Sequence, residues 1–476
     1  MAAENRVVDL LVVGGGTAGI IGAQTAAGFG ADTVLVEQAR TGGDCLWTGC
    51  LPSKTLLRAA EHALTARALT GHPPTFDSVR DRIFASITTI EPVDSPEALE
   101  NAGVEVLKGT LVFRAPGMAV VNGETIRFRQ ALIATGAAPT GTVVPGLDPG
   151  VTVTSETIRD LETLPKRLAI IGGRPLGCEL GQGFARLGSE VTLIIRSRIL
   201  PKEDPEAAAI IRDSLKTDGV RILENTTVQN AYTAEGRTRI RLGDGTTIET
   251  DTVLLATGRT PRTADLGLAR VGVDLDADGQ VITDARMMTS NPVIWAAGDV
   301  TAHPRFTHLA GVHASIAATN AVLGLKRGIS PTMPRVTFTS PEVGAVGLTT
   351  ANTGSGHRTR VVRHTHLDRA VTHGATNGFT KLITDRRGKI LGGTIVSPRA
   401  GESLAELTLA IQNNMTTSDI TATTHPYPTY SDGLWNAAIT DVQARLRSPA
   451  SARALKGLTW LRRRWLERPG SRYNSG

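Results

Sequence analysis

Cysteine is nearly missing from this chain of 476 residues: Cys45, Cys50 and Cys178 are the only three, too few for the disulfide framework of a secreted domain. No run of eighteen apolar residues is present, which excludes a membrane-spanning helix. The opening MAAENRVVDLLVVGGG lacks the basic, then apolar, then small-residue order of a signal peptide. The expected address is the cytoplasm. Aromatic residues are scarce, at 4%. A broad positive surface is lacking too, because residues 445–476 hold eight Arg and one Lys against one Glu. The net charge of +6 therefore belongs to that tail, the remainder carries a net −2, and no nucleic-acid partner is expected.

What is present is ordinary globular composition, 41% hydrophobic and 20% charged, at a length that predicts two or three domains. Residues 9–13 read as a strand, Gly14-Gly15-Gly16-Thr17-Ala18-Gly19 as a tight turn into a small-residue helix, and 33–36 as a second strand ending at Glu37. That is the opening of a dinucleotide-binding fold. Gly14, Gly16 and Gly19 let the backbone approach a pyrophosphate at a helix N-terminus, and Glu37 can accept from ribose hydroxyls. The same grammar recurs at 168–171, at the turn between Gly172 and Gly177, and at a strand over 191–195 followed by Arg196. Two such sites imply two nucleotides. Strand ends of one type close at Gly136 and Gly258, and a further strand over 293–297 runs into Gly298-Asp299. From about Pro334, strands at 336–338, 379–384 and 390–396 with two helices suggest an α+β module.

In a reducing compartment a close thiol pair suggests chemistry. Four residues separate Cys45 from Cys50, directly after the first nucleotide fold's second strand and on an expected helix start, where the helix dipole favours thiolate. The run GGDCLWTGCLPSK resembles the redox motif of the class I flavoprotein disulfide reductases, which include dihydrolipoamide dehydrogenase, glutathione reductase and mercuric reductase. The resemblance extends over residues 6–445 and takes in Trp295-Ala296-Ala297-Gly298-Asp299 and Phe338-Thr339-Ser340-Pro341-Glu342-Val343-Gly344.

It implies an α/β fold of two Rossmann-like domains, for FAD and NAD(P)H, with an α+β dimerisation domain. The expected division is 1–150 and 263–333 for FAD, 151–262 for the nicotinamide, 334–448 for dimerisation and 449–476 as a tail. It also implies a homodimer in which Cys50 faces the flavin, Cys45 meets the substrate, Lys54 pairs with Glu179 beside the flavin, and Asp299 holds the ribityl chain. A buried Lys needs such a carboxylate, and a cation there stabilises reduced flavin. Cys178 reads as a packing residue.

Arg196 stands where NAD-specific folds carry an acid, so NADPH is expected over NADH; Arg198 and Lys202 add charge. Against this, Arg174 replaces the fingerprint's middle glycine. Relatives that reduce lipoamide or glutathione carry a His-Pro-Thr…Glu motif whose histidine shuttles a proton. Here Tyr427 takes the histidine position and Asp432 the glutamate position, and a phenol with pKa near ~10 is a poor shuttle at neutral pH. His425 is the alternative shuttle.

Mercuric reductases resemble this segment in having a tyrosine that helps to hold metal, yet no cysteine follows Cys178 here, so neither their terminal cysteine pair nor their N-terminal metal-binding domain is expected. His364 and His366 alternate on an expected strand, but two histidines alone make no metal site, and none is expected. Ala454, Leu458, Leu461 and Trp465 fall on one face of a basic amphipathic helix. Docking on its own dimer and peripheral contact with an anionic membrane are its two readings. The expected reaction passes electrons from NADPH through FAD and the thiols to a small electrophile or soft metal ion. The alternatives are reduction of a quinone directly from flavin, and a thiol oxidase or redox sensor with weak nicotinamide binding.

Overall fold

The apolar run Val7–Val13 is a strand almost wholly buried, as the interior of a parallel sheet requires. It pairs in parallel with Thr33–Glu37 on one side and Glu124–Ile133 on the other, Val13 lying opposite both Val36 and Ile133. Val104–Lys108 extends the sheet beyond Thr33–Glu37, and Ile294–Ala296 returns from far along the chain to pair with Glu124–Ile133. The helix Thr17–Gly28 can approach this sheet closely because its residues are small: a Cβ added at Gly22 would stand 2.4 Å from Leu132. These elements are seen in a computed structural model that describes residues 6–141, 144–234 and 237–467.

A second parallel sheet runs in the order Arg221–Leu223, Glu190–Ile194, Arg167–Ile171, Thr252–Leu255, Thr152–Val153, and the helix Pro175–Leu187 follows its central strand. Both sheets belong to one compact unit, Met1–Pro201 with Arg212–Pro331.

The other unit takes Lys202–Ile211 and the chain from Thr332 onward. Its sheet is antiparallel, in the order Arg335–Thr337, Glu342–Gly347, Ile390–Ser397, Phe379–Thr384, Arg358–Arg363. Long helices Ala400–Gln412 and Asp432–Leu446 bury Leu404, Leu407, Leu434 and Ala437 with the sheet's Leu382 and Ile395. Two short helices, Asp368–Thr372 and Thr417–Ala422, add to the expected pair; five or six residues are too few to show a 3.6-residue period.

A second departure concerns His364 and His366. They lie not on a strand but in a single 3-10 turn just after Arg358–Arg363. His364 is fully buried there, its Nε2 3.1 Å from the Thr380 hydroxyl.

Candidate active site

After Glu37 the chain turns through Gly42 and Gly43, both at positive φ. A Cβ on Gly43 would sit 2.6 Å from the Cα of Gly16, so the cysteine loop crosses the first dinucleotide turn backbone against backbone. Cys45 lies in a short helix, Gly43–Trp47, and Cys50 opens the long helix Cys50–Thr70 after a break at Thr48-Gly49. The two cysteines thus occupy separate helices, and Cys50 alone has the N-terminal position of the long one. Both are free thiols.

Cys50 Sγ stands 3.1 Å from Oγ1 of Thr307, the first residue of the helix Thr307–Leu323. A hydrogen bond from Cys45, and then the one with Thr307 and the charge of Lys54, pull Cys50 down to about 6 against the opposing effect of burial. Cys45, holding the shared proton and half-buried, is pushed far up. This is the division of labour a thiolate pair needs, with one sulfur ionised at neutral pH and the other protonated. Cys178 is fully buried and its thiol is raised by that burial.

One turn beyond Cys50, Lys54 Nζ donates to Glu179 Oε2 at 2.9 Å. The two helices that carry them meet at Gly183, where an added Cβ would stand 2.6 Å from Leu56. Burial falls on the carboxylate and not, as the sequence suggests, on the ammonium: the Glu179 side chain is 5% exposed and that of Lys54 36%.

The first dinucleotide turn fits a bound diphosphate. Gly14 has φ +105°, and a Cβ on Gly19 would lie 1.7 Å from the Gly14 carbonyl oxygen, so both are glycine for steric reasons. At Gly16 a Cβ would meet nothing closer than 3.8 Å, which leaves open space at the helix start. Gly16 provides no side-chain cap and no acid stands in the first turn, so those amides remain for an anion. Glu37 accepts from Gly15 N at 2.6 Å and Ala39 N at 2.7 Å, and each oxygen keeps a lone pair for a hydroxyl.

Gly136, at φ +68°, and Gly258 are brought together where Ala137–Pro139 pairs with Arg259–Pro261. Arg259 bonds Asp44 and the Ala137 carbonyl. Its Nε is buried without a hydrogen-bond partner among the described residues, a donor that a bound polar group would satisfy. Asp299 lies 3.7 Å from that Nε, and burial raises its carboxyl despite Arg259 and Arg305.

At the second turn Gly172 has φ +128° and a Cβ on Gly177 would lie 2.1 Å from the Gly172 oxygen, repeating the first. Arg174 is the N-cap of Pro175–Leu187 and points into solvent, as does Arg196 after Glu190–Ile194. Arg198 is spent on the Pro201 carbonyl at 3.0 Å, and Lys202 groups with the other unit.

In that unit Tyr427 is 71% exposed and its hydroxyl donates to Asp368, which raises the phenol further. Asp432 is buried and accepts from Thr429 N at 3.0 Å, so it does not orient Tyr427 as a histidine's carboxylate would. His425 has both ring nitrogens engaged, Nε2 with Glu406 at 2.6 Å and Nδ1 with the Thr423 carbonyl at 2.9 Å. Burial works against its charge, but these bonds leave it raised. Sequence reasoning missed Thr307, Asp368 and Glu406, none of which sits in a recognisable motif, and missed the role of Arg259 although its Ala-Thr-Gly-Arg context is distinctive.

A family profile described as pyridine nucleotide-disulphide oxidoreductase matches residues 8–315, and one for that family's dimerisation domain matches residues 333–438. A mercuric reductase of Streptomyces lividans is 37% identical over 456 residues, covering 91% of this chain and 96% of its own. A dihydrolipoyl dehydrogenase of Thermus scotoductus is 36% identical over 454 residues, covering 91% and 97%. Among solved structures, LpdA of Mycobacterium tuberculosis superposes with TM-score 0.85 at 27% identity over 91% of this chain and 99% of its own. The Cu(II) complex of the HOCl-induced flavoprotein disulfide reductase RclA of Escherichia coli gives 0.84 at 25%, over 92% and 100%.

Proposed function

The chain belongs to the pyridine nucleotide-disulphide oxidoreductase family, an enzyme dependent on FAD and pyridine nucleotide with a dimerisation domain, and on that premise we propose that it is an NADPH-dependent homodimer whose Cys45–Cys50 pair reduces a soft metal ion or small electrophile. The observation that carries this reading is the geometry of the pair: Cys45 sits in the short helix, Cys50 opens the long one with its Sγ 3.1 Å from the Thr307 hydroxyl, and the contact between the two thiols draws Cys50 down and Cys45 up. Soft metals and electrophiles are taken by thiolate and need no proton from a neighbouring base. Tyr427, held by Asp368 and raised, is ill suited to deliver one.

When bound, FAD carries the electron pair from reduced nicotinamide to the disulfide. The chain's own residues do the rest. Two electrons and one proton open the disulfide to a Cys45 thiol and a Cys50 thiolate; the same two electrons leave, and the proton is released, when the acceptor is reduced and the sulfur–sulfur bond re-forms, a one-electron acceptor taking two equivalents. Thr307 and Lys54 hold Cys50 ionised, and Glu179 holds Lys54 in place. We assign 1–150 and 263–333 to FAD, with Gly14, Gly16, Gly19, Glu37, Gly136 and Asp299 against it, and 151–262 to the nicotinamide, with Gly172, Gly177, Gly258 and Arg196. Support for the metal-ion reading comes from the Streptomyces lividans relative's name and the copper complex of RclA; the Thermus relative's name favours lipoamide.

An anaerobic acceptor screen decides between them. With Hg(II), Cu(II), lipoamide, glutathione disulfide and quinones offered to the NADPH-reduced enzyme, the metal ions should be turned over and Cys45→Ser should abolish this. Turnover of lipoamide above the metals would overturn the reading, and metal-independent quinone turnover that survives Cys45→Ser would replace it. For the nicotinamide, Arg196→Glu should lower the NADPH-to-NADH preference at least about tenfold, since a phosphate–arginine pair is lost and a repulsion gained.

A further inference from the structure

The helix Pro449–Leu466 has no buried side chain. It is nevertheless specified locally: Ser448 caps it by accepting from Ser451 N, and Pro449 occupies its first turn. Ala450, Ala454, Leu458, Leu461 and Trp465 recur at helical spacing on one face, with Leu458 62% and Leu461 57% exposed. Lys456 and Arg463 lie on the opposite side, Arg453 and Arg464 flank the apolar face beside Trp460, and the Arg464 guanidinium sits 4.2 Å over the Trp460 ring. Arg462, at the rim, covers Trp465 at the same distance. No acid occurs between 449 and 466.

Charge and position say what covers the apolar face. Residues 449–476 hold six Arg and one Lys against one Glu, which equals the whole net +6, so residues 1–448 are neutral. A second copy of this chain therefore offers no net countercharge. The helix also lies beyond residue 438, where the match to the dimerisation domain ends. No helix among the described residues is long and apolar enough to cross a membrane. A charged helix with leucines and tryptophan on one side and arginines on the other suits the plane of a bilayer surface, where an anionic headgroup layer supplies the missing negative charge.

We propose that Pro449–Leu466 is an interfacial helix that attaches the enzyme to an anionic phospholipid surface, with Leu458, Leu461 and Trp465 among the acyl chains and the arginines at the phosphates. The proposal is independent of the acceptor. The test is flotation of the full-length holoenzyme with vesicles of phosphatidylcholine alone or containing phosphatidylglycerol, with oligomeric state measured in parallel.

Binding should be at least about tenfold stronger to the anionic vesicles, should weaken as salt is added, and should shift tryptophan emission to the blue. Leu458→Ser with Leu461→Ser keeps every charge and should cut vesicle binding about tenfold or more, while NADPH oxidation with a soluble acceptor and the dimer stay unchanged. Absence of binding to phosphatidylglycerol vesicles at low salt would overturn the proposal. So would equal retention of a chain ending at Ser448. Dissociation of the serine variant to monomers without any vesicle binding would assign the face to a second copy instead.

Discussion

An ionised sulfur at Cys50 has three supports that an ordinary cysteine lacks: the proton held on Cys45, the hydroxyl of Thr307 and the charge of Lys54. Of these the hydroxyl is separable by a mutation that preserves shape. A hydrogen bond to a charged group is worth roughly 1.5–3 kcal/mol and one pKa unit about 1.4 kcal/mol, so Thr307→Val should raise the Cys50 midpoint by about one to two units. Alkylation of the reduced enzyme with iodoacetamide across pH reads this directly. The wild-type rate should fall as pH drops through about 6, the valine variant should lose reactivity at higher pH, and Thr307→Ser should restore the original profile. An unchanged midpoint in the valine variant would remove Thr307 from the site. Cys50 itself is legible in the sequence through the GGDCLWTGCLPSK run, whereas Thr307 is not: 257 positions separate the two, and a lone threonine at a helix start carries no pattern.

Lys54 and Glu179 show the same limit from the other side. Their pairing follows from resemblance, but which of them is buried depends on how the Cys50–Thr70 and Pro175–Leu187 helices close at Gly183, which is a packing fact. Since the carboxylate is the buried member, Lys54→Met should remove its ammonium counter-ion and cost about 1–3 kcal/mol in denaturant unfolding, less than the roughly 3–5 kcal/mol of a fully enclosed pair. Glu179→Gln should cost less, because its partner can turn to water. A larger loss in the glutamine variant would contradict this ordering.

At the scale of elements, the two strand–turn–helix units are the part most nearly dictated by sequence, because their glycines answer steric demands. Gly19 has no room for a Cβ, which would fall 1.7 Å from a carbonyl oxygen. Gly19→Ala should therefore open the turn, costing about 1–3 kcal/mol or more, and release FAD, seen as lost flavin absorbance after gel filtration. Gly16→Ala meets no such obstacle in the chain, so any loss of flavin there without loss of stability would report the ligand's own approach. The short helices of the second unit and the 3-10 turn at His364 escape a sequence reading for the opposite reason. A buried histidine bonded to Thr380 is fixed by tertiary contacts, and its neighbours alternate only by chance.

For the whole molecule, the least legible feature is the grouping of Lys202–Ile211 with the C-terminal unit. Its cause is a buried ion pair 177 positions apart in sequence: Lys381 Nζ meets Asp204 Oδ2 at 2.9 Å and Glu206 Oε2 at 3.0 Å, while Arg335 Nε bonds Glu203 Oε1 at 2.8 Å. Burial alone would raise the Asp204 carboxyl, but the Thr350 hydroxyl and Lys381 outweigh it and hold the group below its ordinary value.

A carboxylate depressed in the folded state adds stability that is complete above its unfolded pKa, about 3.9, and disappears as pH falls through the folded value. Urea midpoints should then decline as pH falls below about 4. Lys381→Met should lower stability at pH 7 by about 3–5 kcal/mol, since it strands a buried carboxylate, and the deficit should shrink as acid protonates Asp204. A deficit that stays constant over that acid range would mean that Lys381 acts through packing on Phe379, 4.7 Å from its ammonium, and not through charge.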